Sequence, residues 1–282
     1  MNKKILAVGT ATLCLLLASC GNNTSSTADI SAQKCTETNG VFNKTTNVCT
    51  PDDGDFKLVI EPAKTEDTQK YQTYLETSKA FEPIIEDINA DFVLPYDVNI
   101  VFTNCDEANA FYSEDTKSLT MCYELMKDVE GIYAESGYEG EELEQVVFRN
   151  TLATFFHELG HGMIDFHQMP ITGREEDVAD QISTYILINS YEGGAGSVLD
   201  ASEEYYANSA KNELEESSYA DTHTLDLARY YNLVCWVYGS DPVEFASLPE
   251  ETNLPDGRAE GCEDEYLKFK NSLDILFMSF KR

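Results

Sequence analysis

Two histidines and a glutamate lie at a spacing that suits metal-dependent chemistry. The segment His157-Glu158-Leu159-Gly160-His161 places the histidines four residues apart, so on an α-helix they lie one turn apart on the same face. Two imidazole nitrogens in that position can bind one divalent metal ion. Glu158 lies on the neighbouring face, where its carboxylate can accept a proton from a water molecule at the ion. This HExxH pattern predicts a zinc-binding helix with Glu158 as general base.

A catalytic zinc ion usually takes three protein ligands and leaves one position for water, so a third ligand is expected. Downstream of the turn at Pro170, Glu176 and Asp180 are four residues apart and share one face of a second predicted helix. This pair resembles the ExxxD helix of the gluzincin metallopeptidases. The resemblance implies that Glu176 is the third ligand and that Asp180 accepts the other ring proton of His157. The neighbouring acids Glu175 and Asp177 are explained by the dipole of the helix start.

His167 is the competing candidate for the third ligand. It follows His161 by six residues, which is the spacing of a third histidine in metzincins. That family needs glycine three residues after the second histidine, and this chain has Ile164 there. On a continuous helix His167 would point about 240° away from His161. The sequence therefore favours Glu176.

The helix that carries the motif is predicted to be buried. Acidic residues suit its start near Gly140, and apolar side chains cover more than half of its circumference as far as Phe166. Histidines in such a helix need polar partners. The alternative is that His157 and His161 are core histidines with hydrogen-bond partners and that the motif is accidental.

The elements around this helix predict an α+β fold, with a small mixed sheet and a predominantly helical remainder. Strands are expected at Phe56–Ile60, at 98–102 and at 119–122, with 110–112 forming a hairpin onto the last. Helical spacing covers 68–90, where Pro83 predicts a kink or a break. Helices are also predicted over 123–136, 202–216 and 223–239, and the glycines of 192–196 suggest a hinge.

His223 is the candidate for a further catalytic role. Gluzincins place a histidine or tyrosine after the glutamate helix, where it stabilises the oxyanion of the reaction. By that resemblance, His223 is a tentative oxyanion stabiliser, since it is one of only 4 histidines in the chain. A capping or ion-paired histidine is the alternative.

The N-terminus has the parts of a secretory signal. Lys3 and Lys4 precede a mostly apolar run over 5–17, which is shorter than the ~20 residues of a membrane-spanning helix. The ending Leu17-Ala18-Ser19-Cys20 resembles the lipobox of bacterial lipoproteins. This implies a signal peptide over 1–19 and lipidation of Cys20. Gly21 after the cysteine favours an anchor in the outer membrane of the cell envelope. The sequence does not indicate whether the domain faces the periplasm or the outside. The alternative is an ordinary secreted protein.

The remaining chain divides into two parts. Residues 20–54 are expected to hold the lipidated cysteine, a flexible tether over 21–33 and a small loop bracketed by cysteines. Residues 55–282 are expected to form one domain. The net charge of −32 becomes more negative when Lys3 and Lys4 are removed with the signal. Such a chain is repelled by nucleic acid and by anionic lipid, so membrane contact is expected through the lipid anchor only.

The cysteines suggest disulfides. The chain has 8 cysteines, of which Cys14 lies in the signal and Cys20 at the anchor. An even number remains in an exported chain, and sequence alone allows 15 pairings; the sequential pairing is favoured because each bond closes a local loop. A zinc–thiolate cluster is the rival, but the chain has no CxxC. The six candidates are Cys35, Cys49, Cys105, Cys122, Cys235 and Cys262.

Three segments resemble a bacterial metallopeptidase-like family of unknown function. They are Phe155–Asp165 continuing through Pro170 to Gln181, Cys235–Pro242 and Arg258–Cys262. The resemblance covers most of residues 55–282. It implies a zincin-like domain of the gluzincin type and no particular substrate.

The expected function is zinc-dependent hydrolysis of peptide bonds in an unidentified peptide or protein, with one Zn²⁺ per chain. The alternative from another class is a non-catalytic lipoprotein that uses zinc for structure or partner binding. A metal-storage or sensor protein is disfavoured, because the thiols are expected to be oxidised.

Overall fold

The computed structural model describes residues 27–44, 47–211, 214–220 and 222–282. The predicted signal peptide over 1–19 and the predicted lipidation site Cys20 lie outside the described residues. Within the described ranges, no helix combines the length and the apolar character needed to cross a membrane.

The helices and strands form an α+β fold with small sheets and a mostly helical remainder, as predicted. In chain order they are α1 Thr27–Glu37, β1 Gly40–Asn43, β2 Val48–Pro51, β3 Phe56–Ile60, α2 Glu66–Ser78, α3 Glu82–Asp91, β4 Val98–Thr103, β5 Ala110–Ser113, β6 Ser118–Cys122, α4 Tyr123–Glu135, α5 Gly140–Phe166, α6 Glu175–Ser190, α7 Gly194–Lys211, a 3₁₀ turn Glu216–Tyr219, α8 Asp226–Ser240, α9 Leu248–Glu251, α10 Asp256–Ala259 and α11 Cys262–Phe277.

The larger sheet is mixed and has four strands in the order β3-β4-β6-β5. β3 pairs with β4 and β4 with β6 in parallel, whereas β5 pairs with β6 as an antiparallel hairpin. Along β4 the inward residues Val98, Ile100 and Phe102 are fully buried and alternate with more exposed ones. This alternation packs one face of the sheet on the core. β5 is an edge strand and lies against α5.

The predicted break near Pro83 is present. α2 ends at Ser78, and Lys79 adopts a left-handed conformation with φ of 52°. Pro83 then lies in the first turn of α3, where its missing N–H costs no helical hydrogen bond. The expected long helix is therefore two helices.

Helix α5 passes through the centre of the domain, as its sequence predicted. Phe155 and Phe156 are fully buried, and the Phe155 ring packs edge-on against Phe81 at a centroid distance of 5.5 Å. On its other sides α5 contacts α4, α6 and α7. Burial of such aromatic rings supplies much of the free energy that holds this helix in place.

Helices α5 and α6 cross closely at Gly160. A Cβ atom at Gly160 would lie 3.0 Å from Cα of Ala179. The crossing therefore brings the start of α6, with Glu176 and Asp180, against the turn of α5 that carries the two histidines of the motif.

Parts of two predicted flexible segments are ordered elements in the structure, and residues 21–26 of the tether lie outside the described residues. α1 begins at Thr27, inside the expected tether 21–33, and the cysteine-bracketed loop contains the hairpin of β1 and β2. α7 begins at Gly194, inside the expected hinge. A Cβ atom there would lie 1.9 Å from the backbone oxygen of Leu187, and Gly193 has φ of 75°. The glycines thus permit a tight turn and a close contact rather than a hinge.

The three sequential disulfides are formed, which confirms the expected pairing: Cys35–Cys49, Cys105–Cys122 and Cys235–Cys262. The first joins α1 to β2. The N-terminal hairpin is also tied to the C-terminus, because Thr50 donates a hydrogen bond to the Ser279 carbonyl and Arg282 pairs with Asp52.

Candidate metal centre

Three potential ligand atoms converge where α5 and α6 cross. Nε2 of His157 lies 3.2 Å from Nε2 of His161. Oε2 of Glu176 lies 3.3 Å from the first of these nitrogens and 3.5 Å from the second. Among the described residues, this is the group of histidine, cysteine and acidic side chains whose donor atoms could hold one metal ion.

The triangle of donor atoms has the dimensions of a tetrahedral zinc site. Zinc–nitrogen and zinc–oxygen bonds of about 2.0–2.1 Å place tetrahedral ligands roughly 3.3–3.4 Å apart. The measured separations of 3.2, 3.3 and 3.5 Å agree with that spacing. Three side chains on two rigid helices therefore form one face of a tetrahedron.

The ring tautomers of both histidines are fixed by carboxylates on α6. Nδ1 of His157 lies 2.8 Å from Oδ1 of Asp180, and Nδ1 of His161 lies 2.8 Å from Oε1 of Glu175. In the neutral rings, a proton on each Nδ1 leaves a lone pair on each Nε2, and both lone pairs face Glu176. Such a set of electron-pair donors is stable when a cation lies between them.

The electrostatics of the site favour positive charge at its centre. Burial alone would lower the pKa of His157, but Asp180 and Glu176 outweigh that effect and raise the pKa to about 9. Burial would raise the pKa of Glu176, yet the two imidazoles hold it well below its usual range. Oε2 of Glu176 is buried and accepts no well-formed hydrogen bond from any described group. The residues present fit a divalent cation.

A buried arginine supports the site from α8. Arg229 donates from Nε to Oδ2 of Asp180 at 2.9 Å and from Nη2 to Oδ1 at 2.6 Å. Its guanidinium lies 4.0 Å from the centroid of the Tyr205 ring on α7. Burial would raise the pKa of Asp180, but Arg229 and His157 hold it far below its usual range. Asp180 therefore stays ionised and fixes the His157 ring.

Glu158 follows His157 in α5, and its side chain contacts the edge of the sheet. Its side chain is buried, and Oε2 accepts a hydrogen bond of 2.9 Å from the backbone N–H of Tyr112 on β5. The Tyr112 hydroxyl donates to Asp165 at 2.7 Å, which fastens β5 to the last turns of α5. The carboxylate predicted to act as general base is thus held by the edge strand.

The other two histidines occupy different positions relative to the centre. Nε2 of His223 lies 3.3 Å from Oε2 of Glu176, but His223 is outside the group of mutually close ligand atoms among the described residues. Its side chain is 56% exposed. His167 stacks on the Phe280 ring at 4.0 Å, and burial lowers its pKa to about 3. His223 lies at the site, whereas His167 belongs to the core beneath the C-terminus.

Three residues of the site were missed from the sequence. The helix dipole explains an acid at position 175, yet Glu175 contacts His161; its position one residue before Glu176 is the signal that the sequence offers. Arg229 could have been suspected as a lone cation in an apolar helix segment. The contact of Tyr112 with Glu158 had no sequence signal, because it involves a backbone N–H.

A family model matches residues 60–277, which is well over half of the chain. The family is DUF4344, described as "Putative metallopeptidase". No curated protein matches the chain, and no solved structure matches it. The matched range contains all the residues of the centre described above.

Proposed function

Because the chain belongs to this metallopeptidase family, we propose that it hydrolyses peptide bonds at a zinc ion held by His157, His161 and Glu176. The observation that carries the proposal is the triangle of donor atoms with tetrahedral spacing beside a buried carboxylate, Glu158. Three ligands leave a fourth position for water or substrate, which is the arrangement of catalytic zinc sites.

The zinc ion would supply Lewis acidity, which polarises the scissile carbonyl and lowers the pKa of water toward about 7. Glu158 accepts a proton from the attacking water as its oxygen bonds to the carbonyl carbon. The carbon–nitrogen bond then breaks, and Glu158 returns the proton to the leaving amine. Asp180 and Glu175 keep both imidazoles in the tautomer that presents Nε2.

His223 is proposed to stabilise the negative charge that develops on the carbonyl oxygen. Its Nε2 lies close to Glu176 on the exposed side of the centre, where a substrate can reach it. A hydrogen bond from this nitrogen to the oxyanion would be made in the transition state and would raise kcat.

We further propose that the protein is anchored in the cell envelope by lipid on Cys20 after removal of residues 1–19, with 20–54 linking the anchor to a domain over 55–282. The support is the lipobox-like sequence and the basic, apolar N-terminus. Detergent phase separation of wild type and of Cys20→Ser tests the anchor: the wild type should enter the detergent phase and the variant the aqueous phase.

The test of the function is zinc content by elemental analysis together with cleavage of a general peptide library. Wild type and Glu86→Gln, a control at an exposed glutamate, should bind one zinc per chain and cleave in a chelator-sensitive way. Glu176→Gln should lose or weaken both properties. Zinc without cleavage would favour the non-catalytic zinc-binding lipoprotein, and absence of zinc from wild type would exclude both interpretations.

A further inference from the structure

Strand β5 has a defined outer edge next to the proposed metal centre. The carbonyl of Asn109 accepts a hydrogen bond from the Cys122 N–H, so residues 109 and 122 form a hydrogen-bonded pair. Tyr112 lies opposite Leu119, three residues further along, which is a pair without backbone hydrogen bonds. In an antiparallel pair, alternate residues bond to the partner strand. The backbone groups of Ala110 and Tyr112 therefore point away from β6, toward the side on which another strand could add.

Both outward N–H groups of β5 already have partners. The Ala110 N–H donates to the side-chain oxygen of Asn109 at 2.9 Å, which is a local contact within the loop. The Tyr112 N–H donates to Oε2 of Glu158 at 2.9 Å. The only outward donor of β5 that contacts the site is therefore bonded to the proposed general base.

We infer that the Tyr112 N–H is exchanged between Glu158 and the substrate. Glu158 holds this proton donor while no peptide is bound, and a backbone carbonyl of an extended peptide takes it when the peptide adds to β5. Loss of the hydrogen bond frees the carboxylate to accept a proton from water. The inference rests on the proposed function and extends it, because it couples substrate binding to release of the base.

The exchange has a consequence for the class of substrate. A peptide long enough to place a carbonyl opposite Tyr112 both binds by strand addition and releases Glu158. When the substrate is too short to reach β5, Glu158 keeps its hydrogen bond from the Tyr112 N–H. Long, extended peptides should therefore gain in kcat as well as in KM.

Substitution at Tyr112 can remove this donor without breaking the sheet. Its N–H makes no bond to β6, and proline is tolerated at outward positions of edge strands. Tyr112→Pro lacks the donor, whereas the matched control Tyr112→Ala keeps it and also lacks the phenol. Circular dichroism and thermal melts of both variants establish that they are folded.

The kinetic test compares quenched-fluorescence peptides of two and of eight residues that share the same cleavage site. The measured quantity is the ratio of kcat/KM for the longer peptide to kcat/KM for the shorter one. This ratio should be roughly tenfold larger in wild type and in Tyr112→Ala than in Tyr112→Pro, which corresponds to about one hydrogen bond. Part of this gain should lie in kcat. The same length preference in Tyr112→Pro and Tyr112→Ala would overturn the inference and leave the proposed function intact.

A second readout does not depend on hydrolysis. In protein labelled with ¹⁵N-tyrosine, the Tyr112 amide signal is assigned by its loss in Tyr112→Phe. It should shift upfield in Glu158→Ala, and in wild type it should move as a blocked octapeptide with a reduced central amide is added. The exchange would be contradicted if the Tyr112 amide signal did not change in Glu158→Ala. It would also be contradicted if the peptide did not bind, or bound without shifting that signal.

Discussion

The two histidines of the motif have unequal support at the level of single residues. His157 is held by Asp180, which is buried and paired with Arg229. His161 is held by Glu175, whose side chain is 51% exposed, so water competes for that hydrogen bond. We therefore expect the His157 ring to keep its orientation when the metal ion dissociates, and the His161 ring to be the first to change its orientation.

Glu175→Gln should weaken zinc binding by about 10- to 100-fold, because the neutral amide is a poorer acceptor for the His161 ring proton. Competition with a chelator of known affinity measures the change. The control Glu66→Gln removes an exposed acid from the first turn of another helix, α2. An equal loss in both variants would show that overall charge, and not the contact with His161, sets the affinity.

Glu158→Gln should retain zinc and lower kcat by about 10²- to 10⁴-fold, because the amide cannot accept the proton from water. Its side-chain oxygen can still accept the Tyr112 N–H, so the contact with β5 is preserved. Metal analysis and peptide cleavage on the same preparation check both parts. A variant that hydrolyses peptides at the wild-type rate would exclude Glu158 as the base.

At the residue scale, the sequence allowed us to predict which side chains share one face of a helix. It did not allow us to predict which side chains of different helices contact each other. His157 and His161, and likewise Glu176 and Asp180, are related by helical spacing, and the structure brings all four together. The pairing of Asp180 with Arg229 joins α6 to α8, and no spacing in the sequence encodes it. The metal-binding roles of these residues stay predictions until zinc is measured.

At the scale of elements, the ion pair of Asp180 and Arg229 connects the helix of the third ligand to α8. Both groups are buried, so the loss of one partner leaves an unpaired charge in the core. The ion pair thus makes the stability of the helical core depend on the same residue that orients a metal ligand.

Asp180→Asn should lower the free energy of unfolding by about 3–5 kcal/mol, because Arg229 loses its counter-charge. The double variant Asp180→Leu with Arg229→Met should recover most of that stability while zinc affinity stays low. Chemical denaturation of the metal-free proteins measures the first quantity, and chelator competition measures the second. A double variant no more stable than the single one would argue against the charge as the cause.

Glu124 at the start of α4 organises the loop that follows β4. Its carboxylate accepts hydrogen bonds from Nδ2 of Asn104 at 2.8 Å and from the backbone N–H of Cys105 at 3.0 Å. Burial would raise the pKa of Glu124, but these hydrogen bonds outweigh it and lower the pKa. The stabilisation is therefore present above the unfolded pKa of about 4.3 and is lost as the pH falls through the folded value.

Glu124→Gln should be less stable than wild type at pH 7 by about 1–2 kcal/mol, and the difference should shrink as the pH falls below about 4. Urea unfolding of both proteins across this range provides the measurement. A difference that is constant with pH would mean that the carboxylate charge does not contribute.

Helices and strands were predictable where the apolar pattern was long, as in α5, or where a helix-breaking residue marked a boundary, as at Pro83. The prediction failed where ordering comes from distant contacts. The helix over Thr27–Glu37 has a polar sequence, but the bond from Cys35 to Cys49 fixes it to a hairpin. The glycines of 192–196 suggest a hinge, whereas the close contact of Gly194 with the Leu187 backbone makes this segment a tight turn.

At the scale of the whole molecule, the disulfides are distributed from the surface to the core. Cys49 is exposed on β2, whereas Cys235 and Cys262 are both fully buried between α8 and α11. Local sequence spacing allowed their pairing to be predicted. It could not show which bond lies in the core, because burial depends on how α8 and α11 pack.

Graded reduction should open the bonds in the order of their exposure. Cys35–Cys49 should be reduced first, by attack at the exposed Cys49 although Cys35 is buried, and Cys235–Cys262 only when the domain unfolds, because the reductant can reach neither of its sulfurs. Alkylation of freed thiols followed by peptide mass spectrometry gives the order. Early alkylation of Cys262 in folded protein would mean that α8 and α11 separate readily.

The close crossing at Gly160 also constrains how this chain can evolve. Any side chain at position 160 would press on Ala179 and move α6, and with it Glu176, away from the histidines. Glycine at position 179 would remove only the Cβ contact at 3.2 Å and would leave the backbone Cα at 3.0 Å, so a related chain with the same helix separation should keep glycine at position 160 whatever it carries at position 179. In a library randomised at both sites, selection for zinc binding should recover glycine at position 160 and allow more variation among small residues at position 179.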